Sequence, residues 1–259
     1  MGKIDIEYYQ SWFAQYVQQY LAVQESNRLN YQLKLEHSLR VRDRIVELGE
    51  SLNLDQTGLA LCQIIGLMHD LGRFKQYAEY NTFSDLITGS HAKISVDILN
   101  ENKLLQNLKK TQQEIVLKAI EYHNYYRIPE GKSAEILLFS QLIRDADKLD
   151  GYYIVTNDHD QRRYDLEGLS QDKYFSRINL EALLNSQPIE WKNVRYQFDR
   201  KLVMLGLVFD LNFKKSFELI KENDYIKRLI SQLPDTCEIR RIGRHCTEYV
   251  RTKLESGRR

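Results

Sequence analysis

Apolar residues recur at intervals of three and four positions along most of the chain, which is the spacing of one buried face of an α-helix. No segment shows the convincing alternation of apolar and polar residues that a half-buried strand requires. The sequence therefore predicts an all-α fold. Helices are expected over about residues 4–24, 31–52, 59–68, 91–99, 111–123, 133–150, 191–209, 213–233 and 235–254.

Polar side chains that accept hydrogen bonds from backbone amides mark where several of these helices begin. Asp55 or Thr57 can cap the third helix, and Ser90 can cap the fourth. Thr111 is followed three residues later by a glutamate, which is the capping-box pattern. Ser133 precedes a long apolar segment. These residues predict four helix starts.

Two stretches lack a helical period and predict loops. Gly72 is expected to end the third helix, and a polar, aromatic loop is expected to continue to about Gly89. Residues from about 158 to 185 are polar and charged, and we expect a loop-rich insertion or lid there. No linker divides the chain, so the sequence predicts a single domain over residues 1–259.

Composition excludes several classes of protein. The chain has 259 residues, 28% of them charged, and a net charge of +1, which gives no global attraction to nucleic acid or membranes. Its three cysteines form no CxxC pair, and it has neither a signal-peptide pattern nor an apolar run of membrane-spanning length. We expect a cytoplasmic protein with reduced thiols and no membrane partner. We do not expect a nucleic-acid partner, since only a basic C-terminal helix suggests one.

The adjacent His69 and Asp70 are the first candidate site, because a strongly apolar helix delivers them. A buried carboxylate beside an imidazole needs a partner, and both groups are good ligands for a divalent metal ion. The chain contains the same dipeptide at His159-Asp160, in a polar stretch that predicts a solvated loop.

Four further residues have the same character as this pair. His37 shares a buried helix face with Val41 and Ile45, and His123 projects from an apolar helix face near its end. His91 lies in the first turn of a predicted helix, and Asp147 lies on a predicted helix whose other residues are mostly apolar. The ordered set of candidates is His37, His69, Asp70, His91, His123 and Asp147.

In this order, the motifs resemble the HD superfamily of metal-dependent phosphohydrolases. The doublet continues as Leu71-Gly72-Arg73, and the last acid stands in Ala146-Asp147-Lys148-Leu149, both as in that superfamily. The resemblance covers about residues 31–155, and it implies an HD-domain helical bundle with a C-terminal helical extension at about 156–259. The chain lacks the Gly-Tyr-Pro element of the branch that cleaves cyclic dinucleotides, which argues against that activity.

The resemblance implies one or two divalent ions, with Fe, Mn, Co, Ni or Zn favoured over Mg by the histidine-rich ligands. His37, His69, Asp70 and Asp147 would hold one ion, and His91 and His123 a second, with Asp70 between them. If only one ion binds, His91 or His123 is instead a candidate general acid. Catalytic roles are expected for Asp70, Arg73, His91 and Lys148, and substrate binding for Arg73, as a phosphate clamp, and for Arg144.

The function that follows is hydrolysis of a phosphomonoester or phosphodiester (class EC 3.1) in a small substrate, expected to be a nucleotide. Tyrosines near the motifs, such as Tyr125 and Tyr126, are candidates for stacking on a base or for core packing. The alternative is a regulatory HD module that binds metal or nucleotide with little or no turnover. The oligomeric state is left open.

Overall fold

The computed structural model describes residues 4–22, 28–157, 170 and 174–256. Within these residues the regular structure is helical, and the only strand-like feature is an isolated bridge between Ser170 and Tyr196. The all-α prediction is confirmed. The helices are α1 (Ile6–Leu21), α2 (Arg28–Ser51), α3 (Gln56–Met68), α4 (Leu71–Tyr80), α5 (Asp85–Thr88), α6 (His91–Glu101), α7 (Lys110–Tyr122), α8 (Ala134–Asn157), α9 (Arg177–Leu184), α10 (Gln197–Gly206), α11 (Lys214–Glu222), α12 (Tyr225–Ile230) and α13 (Cys237–Glu255).

The chain divides into two compact units, Met1–Ala146 and Asp147–Arg259, and the boundary falls inside α8. The predicted single domain, with a core at about residues 31–155, stays a prediction. None of the helices in the described part of the chain is both long and apolar enough to cross a bilayer. The cytoplasmic location also stays a prediction.

Helix α3 lies at the centre of the first unit because it is apolar on nearly every side. Ile64 and Ile65 are fully buried, and α3 contacts α1, α2 and α7. Gly66 allows the closest approach to α2, since a Cβ atom at this position would lie 2.6 Å from the Cα of Arg42. This packing fixes the end of α3, and with it the pair His69-Asp70, against α2.

Gly72 does not end a helix, which corrects the prediction made from the sequence. α3 ends at Met68, and α4 begins at Leu71, so Gly72 lies in the first turn of a new helix. Its role is close packing: a Cβ atom here would lie 2.2 Å from the carbonyl oxygen of His91 on α6. The predicted loop to Gly89 is likewise wrong, because α4 and the short α5 occupy most of it.

Three of the four predicted helix starts are confirmed. Asp55 accepts a hydrogen bond from the amide of the third residue after it at 2.7 Å, and Ser90 and Ser133 make the same contact at 3.4 and 3.3 Å. The prediction at Thr111 is wrong by two residues. The helix is capped at Lys109, whose amide donates to Gln112 Oε1 at 2.9 Å.

The second unit has its own apolar core, which includes Leu183, Leu205 and Ile242. α9 occupies part of the stretch predicted to be loop-rich, and it buries Asn179 and Leu183. His159-Asp160 lies outside the described residues. On the basic α13, Arg251 forms ion pairs with Glu248 and Glu255 of the same helix.

Candidate metal centre

The first unit brings five of the predicted metal ligands together from four places in the fold. His37 lies on α2, His69 and Asp70 lie between α3 and α4, His91 is the first residue of α6, and His123 directly follows α7. Each of them is at most 7% exposed. Such a concentration of buried imidazole and carboxylate requires partners within the site.

The five side chains form two groups that share Asp70. In the first, Nε2 of His37 and Nε2 of His69 lie 3.4 and 3.8 Å from Asp70 Oδ2. In the second, Nε2 of His91 and Nε2 of His123 lie 3.3 and 3.9 Å from Asp70 Oδ1. Within each group the ligand atoms lie within 4.8 Å of one another. We call the first group the His37 half-site and the second the His91 half-site.

Hydrogen bonds on the far side of the rings aim Nε2 into the site. Nδ1 of His69 lies 2.9 Å from the carbonyl oxygen of Gly66, and Nδ1 of His123 lies 2.7 Å from that of Ile120. A carbonyl oxygen can only accept, so Nδ1 carries the proton in both rings. In the neutral ring, Nε2 then has a free lone pair, which is the tautomer that metal-binding histidines use.

His91 is held in the same way by a carboxylate. Its Nδ1 donates to Asp85 Oδ2 at 2.7 Å. Burial, followed by the charge of Arg73, lowers the pKa of His91 to about 4, so the ring is neutral near pH 7. Its Nε2 therefore also carries a lone pair.

These donors fit divalent metal ions. Nε2 of His91 lies 3.0 Å from Nε2 of His123, and Nε2 of His37 lies 3.3 Å from Nε2 of His69. When neutral, His91 and His123 carry their protons on Nδ1 and cannot hydrogen-bond to each other through Nε2, so a cation is the natural partner of this pair. Two nitrogen ligands, each about 2.1 Å from one ion, lie about 3.0–3.4 Å apart for angles of about 90–109°. Both separations agree with this range.

Asp70 stays ionised in this buried position. Burial alone would raise the pKa of Asp70, but the polar groups around it, first of all the charge of Lys34, hold it well below its ordinary value. Lys34 contributes most among these groups, and its Nζ donates to Asp70 Oδ2 at 2.9 Å. Sequence reasoning missed Lys34, although its position three residues before His37 places it on the same helix face.

Asp85 is a second residue that sequence reasoning missed. Its Oδ2 accepts hydrogen bonds from His91 and from Asn124 Nδ2, each at 2.7 Å. Its Oδ1 accepts from Arg73 Nη1 at 2.8 Å and from Gln76 Nε2 at 2.9 Å. Burial opposes ionisation, but these donors hold the pKa of Asp85 below its ordinary value. The spacing of apolar residues could not indicate Asp85, because it lies in a helix of four residues, which is too short to show a helical period.

The side chain of Arg73 makes most of its contacts with other groups of the protein. In addition to Asp85, its Nη1 contacts Gln76 Oε1 and the carbonyl oxygen of Phe83, and its Nε lies 3.8 Å from Asp70 Oδ1. Its side chain is only 16% exposed. Its predicted role as a phosphate clamp stays a prediction, and the contacts seen are those of a residue that positions Asp85.

Arg144 and Lys148 also have protein partners. Arg144 is buried and donates to carbonyl oxygens at the end of α7, including those of Tyr122 and His123 at 3.4 and 3.3 Å. Lys148, in the second unit, forms an ion pair with Asp210 at 2.7 Å. Asp147, half-buried on α8, is the first residue of the second unit. The predicted roles of all three residues near substrate or metal stay predictions.

The tyrosines near the motifs differ in exposure. Tyr122 is buried, and Tyr152 packs against Tyr225 in the core of the second unit, with ring centroids 5.6 Å apart. Tyr126 and Tyr153 are 54% and 42% exposed. Tyr125 is half-buried, so the buried rings are core residues and the others are at least partly accessible to a ligand.

This all-α unit has a buried carboxylate between two pairs of histidines, and these groups could hold a metal ion. Residues 35–152 match the family model of the HD domain, so this part of the chain is an HD domain, and the resemblance inferred from the motifs is confirmed. An HD domain suggests the superfamily of metal-dependent phosphohydrolases. The chain matches no curated protein and no solved structure.

Proposed function

We propose that the protein is a metal-dependent phosphohydrolase that cleaves a phosphomonoester or phosphodiester bond of a small nucleotide substrate. One observation carries this proposal. The two carboxylate oxygens of Asp70 face separate pairs of histidines in a buried site within an HD domain. This is the ligand arrangement that a bridged two-ion site needs.

The residues of the site fit the chemistry of such an enzyme. Divalent ions bound there would lower the pKa of water and neutralise charge on the phosphoryl oxygens. The protein supplies imidazoles whose Nδ1 atoms are fixed by Gly66, Ile120 and Asp85, and a carboxylate that stays ionised. Because each hydrogen bond fixes a ring before substrate arrives, the site is organised in advance.

Two features support the finer points of the proposal. The histidine-rich donor set favours Fe, Mn, Co, Ni or Zn over Mg. Tyr126, three residues after His123 and more than half exposed, offers a ring on which a nucleobase could stack. A nucleotide is therefore the substrate class that we propose.

The proposal is tested first by metal content and then by turnover. Purified protein loaded with Mn²⁺ or Fe²⁺ is assayed on an aryl phosphate, a bis-aryl phosphate and a panel of nucleotides. Asp70→Ala is expected to lose nearly all bound metal, because Asp70 belongs to both half-sites, whereas His123→Ala should lose only the ion of the His91 half-site. Asp97→Ala, an exposed acid on α6, is the matched control.

The outcomes separate the proposal from the alternative. Turnover that disappears in Asp70→Ala and persists in Asp97→Ala supports the enzyme. Full metal loading with no turnover on any substrate would contradict it and favour a regulatory binding module. Unchanged metal content in Asp70→Ala would contradict the metal centre itself.

A further inference from the structure

Lys34 places a positive charge directly at the candidate metal centre. It lies on α2 three residues before His37, and its Nζ donates to Asp70 Oδ2 at 2.9 Å. The same Nζ lies 5.5 Å from the centroid of the Phe83 ring, within range of a cation–π contact. The Lys34 side chain is 24% exposed, whereas that of Asp70 is 5% exposed. Lys34 therefore reaches from the rim of the site to its central carboxylate.

The ammonium of Lys34 and an ion in the His37 half-site need the same oxygen. Asp70 Oδ2 is the oxygen that faces His37 and His69, at 3.4 and 3.8 Å from their Nε2 atoms. An ion bound by these three residues would coordinate the oxygen that Lys34 contacts, and its charge would repel the ammonium. We therefore expect binding of the ion to displace Lys34 Nζ from Asp70.

The displaced ammonium is available to an anion, whereas each of the other cations predicted from the sequence is held by a protein group other than Asp70. Arg73 Nη1 is held by Asp85, Arg144 contacts the carbonyl oxygens that end α7, and Lys148 is paired with Asp210. The contacts of Lys34 are instead with the site itself, through Asp70 and Phe83. Its long, flexible stem allows the ammonium to turn toward the rim, where an anion would enter.

We propose that Lys34 is the phosphate-binding residue of this site. In the metal-free protein it neutralises Asp70, and when an ion fills the His37 half-site it turns outward and binds the phosphoryl oxygens of substrate or product. The choice of a phosphoryl group as the anion rests on the proposed function. The competition between Lys34 and the metal ion does not rest on it.

The test uses Lys34→Met, which removes the charge and keeps most of the apolar stem, and Lys34→Arg, which keeps the charge. Lys110→Met, an exposed lysine at the start of α7, is the matched control. Metal-free protein is titrated with Mn²⁺ in phosphate-free buffer, and metal-loaded protein is then titrated with inorganic phosphate, both by calorimetry. Neither titration requires turnover.

Lys34→Met is expected to bind Mn²⁺ at the His37 half-site about tenfold more tightly, because the competing hydrogen bond to a charged group is lost. It should bind phosphate at least about tenfold more weakly, because a charge-assisted contact is lost. Lys34→Arg should retain phosphate binding, and Lys110→Met should resemble the unaltered protein in both titrations.

Phosphate affinity in Lys34→Met equal to that in Lys110→Met would overturn the phosphate role. Mn²⁺ affinity that stays the same or falls in Lys34→Met would overturn the competition. A protein that shows both expected effects and yet hydrolyses no phosphate ester would contradict the proposed function alone. The two proposals therefore fail separately.

Discussion

Asp85 is expected to control metal binding at the His91 half-site through His91. It accepts four hydrogen bonds, two on each carboxylate oxygen, and one of them fixes Nδ1 of His91. Asp85→Asn changes few atoms but leaves one acceptor oxygen where there were two. Whichever way the amide turns, its NH₂ group faces two donors, on either the His91 side or the Arg73 side.

The size of the effect follows from these contacts. Loss of a residue that orients a metal-binding histidine typically weakens metal binding about 10–100-fold, or about 1.4–2.7 kcal/mol. We expect this loss at the His91 half-site in Asp85→Asn. The His37 half-site should change little, because Nδ1 of His69 is fixed by the carbonyl of Gly66 and not by Asp85.

The assay is a calorimetric titration of metal-free protein with Mn²⁺, which resolves one weakened and one nearly unchanged binding step. Asp97→Asn, on the same helix as His91 but exposed, controls for the loss of a carboxylate. Equal weakening of both steps would mean that the variant damages the whole site. A titration like that of Asp97→Asn would show that Asp85 does not position His91.

Two further predictions concern packing and pH. Gly72→Ala should lower the free energy of unfolding by about 3 kcal/mol, because its Cβ would lie 2.2 Å from the backbone carbonyl oxygen of His91. Denaturant unfolding measures this loss, with Gly151→Ala as the control, since only the end of the Met204 side chain is close to Gly151. Equal losses in the two variants would contradict the prediction. In metal-free protein, His91 gains a proton below about pH 6.5 when unfolded but only near pH 4 when folded. The free energy of unfolding should therefore fall by about 2 kcal/mol from about pH 7 to about pH 5. This part of the fall should be absent in His91→Gln, and identical pH dependence in both proteins would refute it.

Much of the helical framework could be predicted because local physics determines it. The apolar periods located α1, α2, α3 and α13, and Asp55 and Ser90 marked helix starts that the structure confirms. The errors occur where a long-range contact overrides a local signal. Gly72 resembles a helix stop, but it lies within α4 because α6 packs where a side chain would otherwise be.

The histidines and Asp70 could be predicted because buried polar residues at helix ends stand out against an apolar period. Asp85 and Lys34 could not be found in the same way, because one lies in a very short helix and the other looks like an ordinary surface lysine. Their significance comes from contacts with residues 6 and 36 positions away along the chain. Only the folded chain reveals those contacts.

These two residues make the half-sites unequal, although the order of motifs presents them as a matched pair. On one side of Asp70, the oxygen that faces His37 is already bound by the ammonium of Lys34. On the other side, Arg73 Nε lies 3.8 Å from Asp70 Oδ1, and Arg73 Nη1 forms an ion pair with Asp85. We therefore expect an ion in the His37 half-site to displace a cation, whereas an ion in the His91 half-site would meet an imidazole that Asp85 has already oriented. Because this difference arises from neighbours of the ligands and not from the ligands, no spacing of histidine and aspartate along the sequence could have indicated it.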